Sequence, residues 1–331
     1  ALPPCRSVAA GTRCAVEVIA VTTRARAPAE SEQSMFSGER GDTLDFARLD
    51  VAIPANHAVG RIERSDGQAG DPSAVFALVG ADYLGRTDAL HEIRGQLQLR
   101  APADRDILLF IHGYNTNFGE AVVRIAQLTD DMPFAGVPVL FSWPSRARLA
   151  EYIYDRDSAT YSRQYLSATI EALARETGAR RVHVIAHSMG NWALLEALRD
   201  LRARTGLTLK GHLGNVVMAA PDVDVDVFRQ EARAILGLAE SLTLLASSED
   251  RALRVSARLA GNIPRAGELI DGKPIQVPGI IAVDLSEIEA GSPATAHGGF
   301  ANRPQVVTRI GALMQRDDLG DGAAFGEALL P

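Results

Sequence analysis

Two stretches of the chain carry residue types that could do chemistry together. In RVHVIAHSMG, Arg181–Gly190, an apolar run leads into His187, Ser188, Met189 and Gly190, and a helical pattern follows at once. A serine on a sharp strand-to-helix turn holds its hydroxyl out at the end of the strand. Small residues two positions either side, here Ala186 and Gly190, let strand and helix approach closely. The Met189 N–H faces the same space. In ILLFIHGYNTN, Ile107–Asn117, a second apolar run ends in His112-Gly113, and a polar loop leads to another helical pattern. Gly113 permits a tight bend, and the Tyr114 N–H becomes a second donor. Two backbone donors are what a developing oxyanion requires. Ser188 could instead cap a helix; the second motif favours a nucleophile.

A serine hydroxyl attacks only when a base takes its proton and a carboxylate orients that base. Of the seven histidines, His297 suits the base, because it follows the last expected strand in GSPATAHGGF. His112 and His187 read as structural groups on their turns, and His183 lies inside the strand before Ser188. His57, His91 and His212 sit in weakly placed segments. For the acid, Asp250 in ASSEDRALR and Asp222 in AAPDVDVD both follow strands, and Glu249 adjoins the first. The order Ser188, Asp250, His297 suits a sheet traversed in one direction and favours Asp250. Asp222 then braces the neighbouring loop, and Asp224 and Asp226 are helix-start charges.

Positioning these groups needs a sheet buried on both faces. Short continuous apolar runs occur at Val16–Val21, Val51–Pro54, Ile107–Ile111, Val137–Phe141, Val182–Ala186, Val216–Ala219, Leu242–Ala246 and Ile280–Val283. Helical periodicity lies between the later ones, at 118–132, 161–175, 192–201, 227–239, 253–260 and 306–314. Strand–helix alternation from about 105 to 315 predicts a mainly parallel, doubly wound α/β sheet of about eight strands with helices on both faces. Residues 1–100 read as an irregular portion carrying the first strands, and 101–331 as the catalytic core of one structural domain. Arg26–Arg48 reads as a long loop.

The balance of −7 in 331 residues argues against a nucleic-acid partner, since no basic excess is available to neutralise phosphates. No apolar run reaches the length of a transmembrane segment. The chain opens at Ala1, and a removed export signal or a truncated start explains that equally. Location is therefore expected to be periplasmic or secreted, or else cytoplasmic. Cys5 and Cys14 either pair in an oxidising compartment or stay as thiols. No histidine spacing suggests a metal site.

These residues resemble the α/β-hydrolase superfamily, and within it a bacterial esterase/lipase-like family of unknown function, number 900. The stretches that carry the resemblance are FIHGYNTNFGEAVVRIAQL, PVLFSWPS, YDRDSA, RVHVIAHSMGN, MAAPDVDVDVF, SSEDRALRVS and AHGGF. FSGERGD and VAIPANHAVGRIE extend it towards the N-terminus. The resemblance implies a hydrolase without cofactor, with nucleophile Ser188, acid Asp250, base His297 and oxyanion donors Met189 and Tyr114. Ala186 stands where Gly is commoner, a small-for-small exchange. Exported or lipid-anchored relatives are implied too, but Leu2-Pro3-Pro4-Cys5 is a poor attachment signal. Only about twenty residues separate Asp222 from the next strand, so no cap domain is expected. The site should be open, bordered by Tyr114, Trp143 and Trp192, with the two tryptophans as substrate-binding walls or as core packing. The expected substrate is a small or short-acyl ester; lipase, thioesterase, amidase or non-catalytic binding roles are the alternatives.

Overall fold

A computed structural model describes residues 12–28, 35–64, 71–207, 209, 211–289 and 298–315. Its strands are β1 (Thr12–Arg26), β2 (Phe36–Pro54), β3 (Ala77–Leu84), β4 (Ile107–Ile111), β5 (Val137–Ser142), β6 (Val182–His187), β7 (Leu213–Ala219), β8 (Ser241–Ala246), β9 (Leu269–Ile270), β10 (Lys273–Pro274) and β11 (Ile281–Asp284). The helices are α1 (Arg86–Gln98), α2 (Phe118–Asp131), α3 (Tyr152–Tyr161), α4 (Arg163–Glu176), α5 (Gly190–Thr205), α6 (Val225–Ala234), α7 (Arg251–Leu259), α8 (Ser286–Glu289), α9 (Gly299–Asn302) and α10 (Pro304–Met314).

Nine strands form one sheet in the order β11-β8-β7-β6-β4-β5-β1-β2-β3. It is parallel from β11 to β1, and β2 and β3 continue it antiparallel. Every residue of β4, β5 and β7 is buried, which is why these strands read as unbroken apolar runs: helices cover both faces. Ile107, Leu109 and Ile111 pack in one core with α1, α4 and α5. Leu108 and Phe110 pack in the other, with α2 and α10. Among the described residues only α6 lies between β7 and β8, so no cap covers the sheet's carboxyl edge there.

Two N-terminal features depart from the sequence reading. Much of Arg26–Arg48, expected as loop, is strand: β2 begins at Phe36 and pairs with β1 and β3. Its outer half is only partly buried and meets α3 through polar contacts, Arg40 Nε donating to Ser158 Oγ at 2.9 Å and Tyr161 OH to Gly41 O at 2.7 Å, so no apolar pattern marks it. The ninth strand, β3, is an exposed edge and carries no buried run. Cys14 is buried and disulfide-bonded; Cys5, the only other cysteine, lies outside the described residues. No described helix is long and apolar enough to cross a membrane.

Candidate active site

Ser188 follows β6 with φ of 53°, in the left-handed region that costs a non-glycine residue on the order of 1–3 kcal/mol. The surroundings impose that conformation. The Ser188 N–H donates to Ala219 O across to β7 at 2.9 Å. The Asn191 side-chain amide, from the first turn of α5, reaches the carbonyls of Ala186, Ser188 and Ala219 at 3.1–3.2 Å. Helix and strand also come very close. A Cβ on Gly190 would collide with the His112 carbonyl, and one on Gly113 would sit 2.9 Å from Ser188 Cβ. The two glycines therefore let the β4 and β6 turns touch. Among the described residues, neither the Met189 nor the Tyr114 N–H has a hydrogen-bond acceptor.

The turn after β4 is held from beneath by Arg24, near the end of β1. Its guanidinium is buried and all five N–H groups are used. Nε donates to Ser142 Oγ at 2.8 Å, and Nη1 to Ser37 O and Ser145 O at 3.1 and 2.9 Å. Nη2 donates to Thr116 O at 2.8 Å and to His112 Nε2 at 3.3 Å. Burial lowers the Arg24 pKa to about 9 against the opposing charge of Asp155. Burial, with the Arg24 charge, lowers His112 to about 3. His112 is thus a neutral imidazole whose Nδ1–H donates to Gly113 O at 2.8 Å. Asp155, from α3, ties that turn to the loop after β5: it accepts from Asn115 N at 3.2 Å, and from Ser145 Oγ at 2.5 Å and Arg146 N at 3.1 Å. Neither Arg24 nor Asp155 was recognisable as part of the site from sequence. An arginine in a strand and an aspartate in a helix carry no local mark of burial.

The two candidate acids have different surroundings. Asp250 is 1% exposed and caps α7, its Oδ1 accepting from the N–H groups of Ala252 and Leu253 at 3.0 and 3.1 Å. Asp222 is committed elsewhere. It accepts from Ser256 Oγ and from Tyr152 OH, the latter at 3.0 Å. It also pairs with buried Arg265 at 3.3 Å, without hydrogen-bond alignment at Nε. Burial and the Asp222 charge push the Tyr152 phenol up to about 12, so it remains a donor. His297 lies outside the described residues. Gly298, next to it, lines a cavity with Gly113 and His187.

Ser188 itself opens into an apolar cavity of about 350 Å3, lined by Tyr114, Leu149, Tyr152, Asp222, Ala252, Leu253, Val255, Ser256 and Leu259. The tryptophans are not its walls, a correction to their expected role as substrate-binding residues. Trp143 is 0% exposed, stacks on His112 with centroids 4.7 Å apart, and donates from Nε1 to His112 O. The Trp192 Nε1–H donates to Thr160 Oγ1 at 2.9 Å, fastening α5 to α3. Both indoles pack because their N–H groups find acceptors inside the fold. Tyr114 does line the cavity, its hydroxyl donating to Leu149 O at 2.5 Å.

Elsewhere among the described residues, His57, Asp130 and Asp131 present ligand atoms within 4.8 Å of one another. The imidazole there already bridges Glu63 and Asp131, at 2.8 Å on each nitrogen, as a doubly donating imidazolium would. That leaves no nitrogen lone pair for a metal. His183 sits at the opposite end of β6 from Ser188, and its Nδ1 accepts from Asn215 N.

Residues 88–316 match the model of a family described as alpha/beta hydrolase of unknown function (DUF900). No curated protein matches the chain. Among solved structures it is similar to Aspergillus fumigatus lipase B, at 13% identity and a TM-score of 0.43, over 68% of this chain and 56% of that one. The chain therefore spans little more than half the length of that lipase.

Proposed function

The chain belongs to the α/β-hydrolase family DUF900 and has that fold, and on this premise we propose that it is a serine esterase acting on carboxylic esters. The observation that carries the reading is the setting of Ser188. A strained turn, fastened by Ala219 and Asn191, aims it into an apolar cavity beside two unengaged backbone N–H groups. The catalytic core is assigned to 101–331, with the strands of residues 1–100 packed on its edge and supplying Arg24.

In the proposed cycle His297 removes the Ser188 proton as Oγ bonds to the ester carbonyl carbon. The oxyanion is held by the N–H groups of Met189 and Tyr114. The bond to the alkoxy oxygen breaks, and the His297 proton leaves with the alcohol. Water repeats the sequence on the acyl-enzyme. Asp250 orients the imidazole; with Oδ1 engaged at the helix cap, Oδ2 is the oxygen assigned to it. Asp222 is assigned to holding α7 and Tyr152 in place.

The test is labelling with a fluorophosphonate probe followed by mapping of the modified residue. The expected outcome is modification at Ser188 only, with no labelling of Ser188→Ala and loss of chromogenic short-chain ester hydrolysis in that variant. Labelling elsewhere, or none, would end this reading and favour a binding protein on a hydrolase fold. Panels of acyl-chain lengths, thioesters and amides sort the hydrolase classes. The apolar rim of the cavity gives specific support to a lipid-ester reading.

A further inference from the structure

The mouth of the Ser188 cavity is built from side chains that a water-facing cleft does not need. Leu149 is 79% exposed, Val255 54% and Leu259 68%, yet all three line that cavity. Contiguous exposed apolar surface at a site entrance marks contact with something apolar.

Helix α7 forms one side of this mouth, and its sequence, RALRVSARL, has a second pattern. Ala252, Val255 and Leu259 recur at i, i+3 and i+7 and face the cavity. Arg251, Arg254 and Arg258 recur at the same spacing on the flank beside them, all exposed. α7 contains no acidic residue. Among the described residues these three arginines have no carboxylate partner, whereas Arg26, Arg86, Arg199 and Arg204 are each ion-paired. Apart from Glu249, the nearby acids are occupied or buried. Glu151 pairs with Arg146, Asp250 caps the helix, and Asp222 pairs with Arg265. Exposed Glu249 lies before the cap. In a chain of net charge −7, this is a cationic flank bordering an apolar stripe, the composition of a helix that lies in a lipid interface.

We propose that the rim formed by Leu149, Val255, Leu259 and the arginine flank of α7 docks on an anionic lipid surface. The Ser188 cavity then opens onto that surface and takes its ester from there. The site of attack rests on the reading given above; the docking does not. Charge complementarity selects this occupant. Guanidinium groups bind phosphate oxygens in pairs, and acyl chains beneath the headgroups match the apolar stripe, whereas a second copy joined at this same face would set arginine against arginine.

The experiment is flotation of the full chain carrying Ser188→Ala, which cannot turn over lipid. It uses vesicles of phosphatidylcholine alone and of phosphatidylcholine with phosphatidylglycerol. The expected result is flotation with the anionic vesicles only, weakened by salt. The triple variant R251Q/R254Q/R258Q keeps helix-forming residues at exposed positions and should partition on the order of 100-fold more weakly. In a background with Ser188 intact, the same triple variant should hydrolyse a soluble short-chain ester at the wild-type rate. Absence of flotation, equal flotation on neutral vesicles, unchanged flotation of the triple variant, or a sedimenting dimer that the triple variant dissolves would each overturn the proposal. Failure of all ester hydrolysis with flotation intact would instead remove the esterase reading and leave the docking face standing.

Discussion

The Nη2 of Arg24 lies 3.3 Å from Nε2 of His112, a guanidinium against an imidazole with both side chains out of water. Two cations could not share that space, and the contact holds because His112 stays neutral, at about 3. The pair fixes the turn that presents the Tyr114 N–H beside Ser188. Arg24 touches no part of the cavity, so it acts on the site by positioning. Replacing it with Gln leaves the carbonyls of Thr116, Ser145 and Ser37 short of donors, at about 1–3 kcal/mol for each buried group left unmet. The expected outcome is a lower melting temperature and, at permissive temperature, a kcat for a short chromogenic ester reduced roughly 100-fold with KM little changed. Lysine should not rescue, having no planar five-donor fork. A rise in KM with unaltered kcat would show that the turn does not depend on Arg24.

The strain at Ser188 should be measurable. A glycine adopts positive φ without the Cβ penalty, so Ser188→Gly should be inactive but more stable than Ser188→Ala by about 1 kcal/mol. Urea titration of the two variants checks this. Equal midpoints would mean that the turn is unstrained.

Asp250 and Asp222 separate by what their amides would do. Asn caps a helix as well as Asp does, so Asp250→Asn should melt close to the parent while kcat falls on the order of 1,000–10,000-fold. Asp222→Asn strips the charge partner from buried Arg265 and should lose about 3 kcal/mol of stability with a much smaller fall in kcat. The reverse pattern would make Asp222 the acid.

His57 predicts a stability that depends on pH. Burial alone would lower its pKa, but hydrogen bonds to Asp131 and Glu63 and their charges outweigh burial and raise it above 6.5. A raised folded-state pKa stabilises fully below the unfolded value and loses that contribution as pH climbs through the folded one. Thermal melts from pH 6 to pH 9 should therefore show a decline that His57→Gln flattens. Parallel curves for the two proteins would place the imidazole outside the titration.

Legibility followed the range of the interactions. The Ser188 turn was readable because five consecutive residues, two of them small, build it. The runs that became β4, β5 and β7 were readable because two-sided burial forces apolar continuity. β3 and the outer part of β2 were not, since a solvent-facing edge leaves no such mark. Trp143 looked like a pocket wall because nothing local shows that its ring stacks on His112, 31 residues away. Asp222 and Asp250 both follow strands, and only the fold reveals that Arg265 and Tyr152 engage the first.

Short-range sterics and the period of burial, both written in the chain itself, determined the parallel sheet, the left-handed serine and the helices that flank it. Tertiary structure alone decided which buried polar groups meet. It joined Arg24 to His112 and Asp155 to the loop after β4, turned two tryptophans into packing, and set an arginine flank beside an exposed apolar rim. Buried charges must be paired wherever the packed chain brings a partner, and for Arg24 those partners include Ser142 and Ser145, 118 and 121 residues away, which no local pattern encodes.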